Sequence, residues 1–483
     1  MEYKVKGYEP ENLFRFFEEI CSIPHGSGNE KEISNYIVNF AKERNLEYYQ
    51  DEHYNVIIKK SASHGSENKN PVMLQGHMDM VCEKIAGLEH DFTKDPLNLI
   101  VKDGILTADG TTLGADNGIA VALMLAILDD NSIKHPPLEC VITTGEEVGL
   151  LGAVALDKSK ISARTMINLD SEDEGVATVS CAGGFSFTAK KDILGAETEG
   201  YTLSINISGL LGGHSGLDIN KERHNANILM ARIISKLMKE TECKLVSFNG
   251  GTKDNAIPRE CVSKVIYSSK EQAEKAEKIL FDFTAVLYNE VKPYESDFSI
   301  VANIENEKCF ASNYDDAMSF INAIKLMPNG IIFRNINMGG FVVASTNVAI
   351  TDFNNGKCKL IVSARSSIAS IQEETKSVLY TVCETFGFEG SVYGEYPGWS
   401  YAENSPIREL FCKSYKELFD KEMKVEALHA GLECGLFSDA LEGLDAIAVG
   451  PDIRACHTPD EYIPLCSVER FYKLLVYVID KLA

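Results

Sequence analysis

Four short apolar runs in this chain lead directly into histidine, aspartate or glutamate, and that recurrence constrains what the chain can build. The run 72–75 leads to His77 and Asp79, and the run 138–143 to Glu146 and Glu147. The run 164–169 is followed at once by Asp170, and 445–449 is followed by Gly450-Pro451 and then His457. Each run has the length and composition of a buried strand. A sheet whose strands end in polar groups gathers them along one edge, and in α/β sheets ligands bind beyond the carboxyl ends of the strands. A further carboxylate, Asp116, lies in the glycine-flanked turn Leu113-Gly114-Ala115-Asp116-Asn117-Gly118, which opens a strongly apolar helix over 118–129.

Helix-like stretches at 12–20 and 30–44 alternate with strands at 55–58 and 71–74, so the first part of the chain reads as an α/β sheet covered by helices on both faces. The texture changes after Cys181-Ala182-Gly183-Gly184. There, strand-like alternation such as 201–207 mixes with long polar helices such as 224–239 and 270–290, which reads as an inserted α+β domain that could hold two related halves. After Tyr396-Pro397-Gly398 the α/β texture returns, with a helix at 405–419 and a closing helix at 467–482. The expected organisation is an α/β domain in two parts, 1–185 and 397–483, with an α+β domain at 186–396 inserted between them.

Composition narrows the function. A formal net charge of -24 argues against nucleic acid or an anionic membrane as partner, since both need basic surface. The longest apolar run, 119–128, is too short to span a bilayer, and the opening residues lack the apolar core of a secretory signal. The 13 cysteines include no Cys-x-x-Cys pair and lie mostly in apolar stretches, as expected for reduced thiols in a cytoplasmic protein.

His77 and Asp79, two residues apart, suit an imidazole on a metal oriented by a carboxylate. Taken singly, each candidate has an ordinary explanation: a hydrogen-bonded histidine, a helix-end Glu pair, a turn aspartate, a cap or a loop histidine. Their coincidence at strand ends of one sheet favours a metal centre. Two histidines and three carboxylates exceed what one catalytic zinc takes, and they suit two ions with one shared carboxylate. A carboxylate left over could take the proton of the attacking water. Histidine with carboxylates suits Zn2+, and also Mn2+ or Co2+. No phosphate-cradling glycine motif is present.

These residues resemble those of the aminoacyl-histidine dipeptidases, or cytosol non-specific dipeptidases, within the dinuclear-zinc exopeptidases. The resemblance runs essentially end to end through Gln75-Gly76-His77-Met78-Asp79, Asp109-Gly110-Thr111-Thr112-Leu113-Gly114-Ala115-Asp116-Asn117-Gly118, Gly145-Glu146-Glu147-Val148-Gly149, Gly212-Gly213-His214-Ser215-Gly216, Asn255-Ala256-Ile257-Pro258-Arg259 and His457-Thr458-Pro459-Asp460-Glu461. It implies His77 and Asp170 on one ion, Glu147 and His457 on the other, and Asp116 bridging across a cis bond to Asn117. It further implies that 1–185 and 397–483 form the catalytic domain and 186–396 a lid, with Asp79 orienting His77, Glu146 as general base, and His214 of the lid stabilising the oxyanion. Asn255 and Arg365 would grip the substrate's carboxylate, and Gly431 would line its pocket. Gly145 departs from relatives that often carry an acid there; no ligand is missing. The resemblance implies hydrolysis of dipeptides by a homodimer joined through the lid. An N-acyl amino acid deacylase of the same superfamily is the near alternative, and a non-catalytic binding protein on the same scaffold a distant one, since such a protein should have lost a ligand or the base.

Overall fold

A computed structural model describes residues 3–336 and 339–483. The chain divides into two compact units: 1–181 with 399–427 and 432–483, and 182–398 with 428–431. The sequence boundaries at 185/186 and 396/397 differ from these by a few residues. The segment 428–431, read from sequence as part of the first unit, goes with the second.

The first unit is built on an eight-stranded mixed sheet, in the order Glu47–Gln50, Val56–Lys60, Leu138–Thr143, Val72–His77, Thr165–Asn168, Asp445–Ala448, Val176–Cys181, Lys424–Leu428. The four central strands, Leu138–Thr143 through Asp445–Ala448, run parallel, so their carboxyl ends share one edge. They are the four runs that precede the candidate ligands. Their side chains are almost all buried, as a strand covered on both faces requires. The helix Ala115–Asp129 is apolar around its whole circumference and buried from Asn117 to Leu128. It is therefore a core element, packed against the helix Glu11–Cys21 and the strand Val72–His77. Each Leu, Ile or Met buried there contributes about 1.5–3 kcal/mol, so the turn at its start rests on a stable base.

The second unit is a nine-stranded sheet that resolves into two βαββαβ halves. In one half the strands, in chain order, are Gly195–Ser208, Lys244–Gly250, Cys261–Tyr267 and Ser299–Ser312, with helices Ala226–Glu240 and Lys270–Val291 after the first and third. Its sheet order is fourth, first, third, second. The other half uses Gly183–Asp192, Phe341–Asn354, Lys357–Ser366 and Glu389–Tyr396, with helices Tyr314–Leu326 and Ala369–Phe386. It repeats the same order reversed, and the two second strands pair antiparallel at Phe248↔Phe353. The first half is thus inserted after the opening strand of the second.

Candidate metal centre

His77 closes its strand, and its main-chain N–H donates to Asn117 Oδ1 at 3.2 Å. The Asn117 amide also donates to Leu169 O at 3.1 Å, so one side chain ties the His77 strand to the strand leading to Asp170. Gly76 is required beside it: a Cβ there would press into Asn117 Oδ1 and lie 2.8 Å from Ala120 Cβ. The Asp116–Asn117 peptide bond is cis. The Asp170 N–H donates to Asn168 Oδ1 at 3.1 Å, and Asn168 in turn donates to Gln75 Oε1 at 2.6 Å. Gln75 and Thr143 both donate to Glu433, a wholly buried carboxylate.

The ligand atoms converge. His77 Nε2 lies 3.3 Å from Asp116 Oδ1 and 3.7 Å from Asp170 Oδ1. His457 Nε2 lies 3.1 Å from Asp116 Oδ2 and 3.0 Å from Glu147 Oε1. Each Asp116 oxygen therefore faces a different histidine, the arrangement of a shared ligand. His77, Asp116 and Asp170 form one set able to hold an ion, and Asp116, Glu147 and His457 another. His457 adopts φ 61°, a conformation uncommon outside glycine that is found where surrounding structure over-determines it.

The Asp79 side chain does more than face the His77 ring. Its Oδ1 is 3.3 Å from His77 Nδ1, but that nitrogen is nearer the Asp79 main-chain carbonyl, at 3.0 Å. The carboxylate accepts from Ser27 Oγ at 2.8 Å, Glu146 N at 3.1 Å and Glu147 N at 3.3 Å, so it also holds the Glu146–Glu147 turn.

Electrostatically the centre is an excess of buried acid. Burial would lower His77, but Asp170, Asp116 and Asp79 outweigh it and raise it well above the usual imidazole range. Hydrogen bonds to Asp116 and Glu147 push His457 up to about 11. Burial opposes ionisation of Asp116, yet His457 and His77 hold it below the usual carboxylate range. Burial, reinforced by Asp170, Glu433 and Glu147, pushes Glu146 up to about 9. Burial likewise raises Glu147 and Asp170. Glu147 Oε1 is buried, with His457 Nε2 at 3.0 Å beside it. Crowded carboxylates and imidazoles are the donor set that divalent cations satisfy.

The remaining candidates gather within the second unit. His214 Nδ1 accepts from Gly216 N at 3.2 Å and Leu217 N at 3.0 Å, so the ring proton sits on Nε2, which becomes a donor. Burial and the Arg365 charge lower the His214 pKa and keep the ring neutral. Ser215 N donates to Asn255 O at 2.8 Å. Asn255 and Arg365 line one cavity of about 110 Å³ with Ser186, Asp254, Ser363 and Tyr396. Arg365 Nη1 donates to Tyr396 Oη at 3.1 Å, and its Nε is buried without a hydrogen-bond partner. Gly431 lies against the Tyr396 ring, where a Cβ would be 3.1 Å from Cε2. Sequence reasoning missed Tyr396, Asn168, Glu433 and the role of Glu461, whose carboxylate grips the Asp116 turn. Of these only Glu461 stands inside one of the motifs that carry the resemblance.

Four parallel central strands of a mixed sheet, with two ligand sets sharing one carboxylate at their carboxyl ends, are the frame of a metal-dependent hydrolase with paired ions. Residues 73–481 match the family described as Peptidase family M20/M25/M40, and the chain belongs to that family. It is 36% identical over 480 residues to a cytosol non-specific dipeptidase of Escherichia coli (strain K12), covering 98% of each chain. It superposes on the crystal structure of aminoacylhistidine dipeptidase from Vibrio alginolyticus with a TM-score of 0.93 and 35% identity, covering 99% of this chain and 98% of that one. The fold extends to the aminopeptidase PepT of Bacillus cereus, with a TM-score of 0.55, 17% identity and coverage of 98% and 99%.

Proposed function

We propose that this protein is a metal-dependent dipeptidase that cleaves unblocked dipeptides, Xaa-His among them, in the cytoplasm. The observation that carries the reading is the pair of ligand sets joined by Asp116, with Glu146 beside them, its Oε2 4.0 Å from His77 Nε2. Similarity along the whole chain to two dipeptidases supports the substrate class.

When bound by His77, Asp116 and Asp170 and by Asp116, Glu147 and His457, divalent ions supply the Lewis acidity that activates a water and polarises the peptide carbonyl. Zn2+ fits this donor set best, with Mn2+ and Co2+ as the substitutes to compare. Glu146 takes the proton of the attacking water and delivers it to the leaving amine, from a position beside both ligand sets. The His214 Nε2–H donates to the developing oxyanion, as its fixed tautomer allows. Asn255 and Arg365 hold the terminal carboxylate, where the planar guanidinium, with its unpaired Nε, suits a bidentate grip, and the Gly431 backbone lines the same substrate site. Asp79 keeps His77 and the Glu146–Glu147 turn in place. Self-association through the second unit has a candidate surface in its open edge strand Ser299–Ser312 and the neighbouring Phe281, which is 76% exposed.

The test is a panel of dipeptides and N-acetyl amino acids on chelator-stripped protein reconstituted with each ion. Dipeptide cleavage with no deacylation is expected, and the reverse preference would favour the deacylase reading. Glu146→Ala should lower turnover by at least ~10²-fold with both ions still bound. Retained turnover in that variant removes Glu146 from the role of base.

A further inference from the structure

We infer that Glu461 is a positioning residue that builds the second ligand set, by fastening the turn carrying Asp116 to the loop carrying His457. This rests on the paired-ion reading above. Four consecutive main-chain N–H groups converge on its carboxylate: Leu113 at 2.7 Å and Gly114 at 3.0 Å on Oε2, Ala115 at 2.9 Å and Asp116 at 3.2 Å on Oε1. Glu461 is 2% exposed, so water does not compete for these bonds. Successive N–H groups pointing to one side form a concave nest for an anion. The nest here depends on Gly114, at φ 69°, where a Cβ would come 2.8 Å from Met80 Sδ. The anion is a side chain from the far end of the chain.

The same residue shapes the His457 loop. Glu461 N donates to Thr458 O at 3.1 Å, and Thr458 Oγ1 donates to Ala455 O at 2.8 Å, closing the loop that holds His457 in its left-handed conformation. Thr107 Oγ1 donates to Glu461 O at 2.7 Å, and the strand Tyr462–Pro464 then pairs with Ile105–Ala108. Asp116 and His457 face each other at 3.1 Å across this clamp. His77 and Asp170 are held by other groups, the Asn117 and Asn168 amides. Loss of Glu461 therefore removes the support of both Asp116 and His457 in the set with Glu147, whereas the set with His77 and Asp170 keeps its supports at those two residues and loses only that of the shared Asp116. A carboxylate is needed because it offers two acceptor oxygens to four donors; glutamine would turn an amide against two of those N–H groups.

The experiment titrates chelator-stripped wild type, Glu461→Gln and Glu461→Asp with Zn2+ and with Mn2+, reading stoichiometry and affinity by calorimetry and folding by circular dichroism. Wild type should bind two ions. Glu461→Gln should bind the first with affinity within threefold of wild type and the second at least tenfold more weakly, with Glu461→Asp between them. Raising the ion concentration should restore kcat while KM for dipeptide stays constant, a rescue that a general folding defect would not show. A second ion bound by Glu461→Gln as tightly as by wild type overturns the inference; if that variant does not fold, unchanged second-ion affinity in Glu461→Asp does so. Wild type binding only one ion would instead overturn the paired-ion reading.

Discussion

Replacing Asp79 with asparagine isolates what its carboxylate does for the Glu146–Glu147 turn. Oδ1 accepts from Glu146 N and faces His77 Nδ1, while Oδ2 accepts from Ser27 Oγ and Glu147 N. An amide has the same shape but turns one acceptor into a donor. The favourable orientation puts the amide nitrogen at the Oδ2 position, because the Ser27 hydroxyl can rotate to accept from it, whereas a main-chain N–H cannot. One N–H, that of Glu147, is then left facing a donor beside the fully buried Asp79 side chain. An unsatisfied buried donor costs about 1–3 kcal/mol. Since about 1.4 kcal/mol is tenfold, the cost corresponds to roughly 5- to 150-fold. That range brackets the roughly 10- to 100-fold losses typical when a group orienting a metal ligand is removed. The loss should appear in the affinity of the set containing Glu147 and in kcat/KM, measured by metal titration of stripped protein and by dipeptide hydrolysis at saturating ion. Ser27→Ala, which leaves both N–H bonds intact, should cost less. If Asp79→Asn stays within threefold of wild type in both measurements, its carboxylate does not order that turn.

Removing the ions with a chelator should lower the calorimetric Tm, since an ion present at about a hundredfold over its Kd stabilises by about 2.7 kcal/mol; an unchanged Tm would mean that no ion is held by the folded state. In the second unit, burial and the Arg365 charge hold His429 down to about 3, from the usual 6.5. Between those values the unfolded chain binds a proton that the folded chain does not, so stability falls as pH drops below about 6.5, by ~2 kcal/mol at about pH 5. His429→Gln should flatten this stretch of the urea-derived stability profile, and an unaltered slope would count against the assignment. Gly76→Ala should abolish tight metal binding, because its Cβ displaces Asn117, which holds the His77 main chain; wild-type stoichiometry in that variant would refute the requirement. Arg365→Lys should raise KM for dipeptides about tenfold or more with little change in kcat, since a point charge replaces a bidentate grip; an unchanged KM would remove Arg365 from carboxylate recognition.

Much of the first unit was legible because its signals are local. The strands over 72–77, 138–143 and 445–448 announce themselves as short apolar runs, and the residues that follow them must lie at the sheet's carboxyl edge. The helix after Asp116 is apolar on every face and could only be core. The second unit was legible only as α+β. Its two halves are related through sheet order and through the pairing of Phe248 with Phe353, neither of which leaves a trace in the spacing of residues. Segment 428–431 reads as part of the first unit because the strand Lys424–Leu428 continues into it without any break in composition. Arg365 and Asn255 carried no signal of their own. Their roles came from resemblance, and their shared cavity with Tyr396 is a property of the folded sheet.

Glu461, Asn168 and the hold of Asp79 on the Glu146–Glu147 turn were the least legible part of the site, for one physical reason. Asp79, Glu461 and Asn168 act on main-chain N–H groups, at Glu146 and Glu147, at Leu113 to Asp116, and at Asp170. A main-chain donor is present at every residue but proline, so no residue type at the receiving end marks the contact. The arrangement also explains how so many acids coexist. Had the ligand carboxylates been fixed through their own oxygens, those lone pairs would be occupied and a cation would have to displace the bonds. Held instead through their backbones, Asp116, Glu147 and Asp170 keep their oxygens facing His77, His457 and one another. Cations bound there would relieve their mutual repulsion, and ion affinity and turn geometry would become one property. Variants of the tethers should accordingly weaken metal binding before they disturb the fold, whereas variants of the apolar helix behind Asp116 should do the opposite.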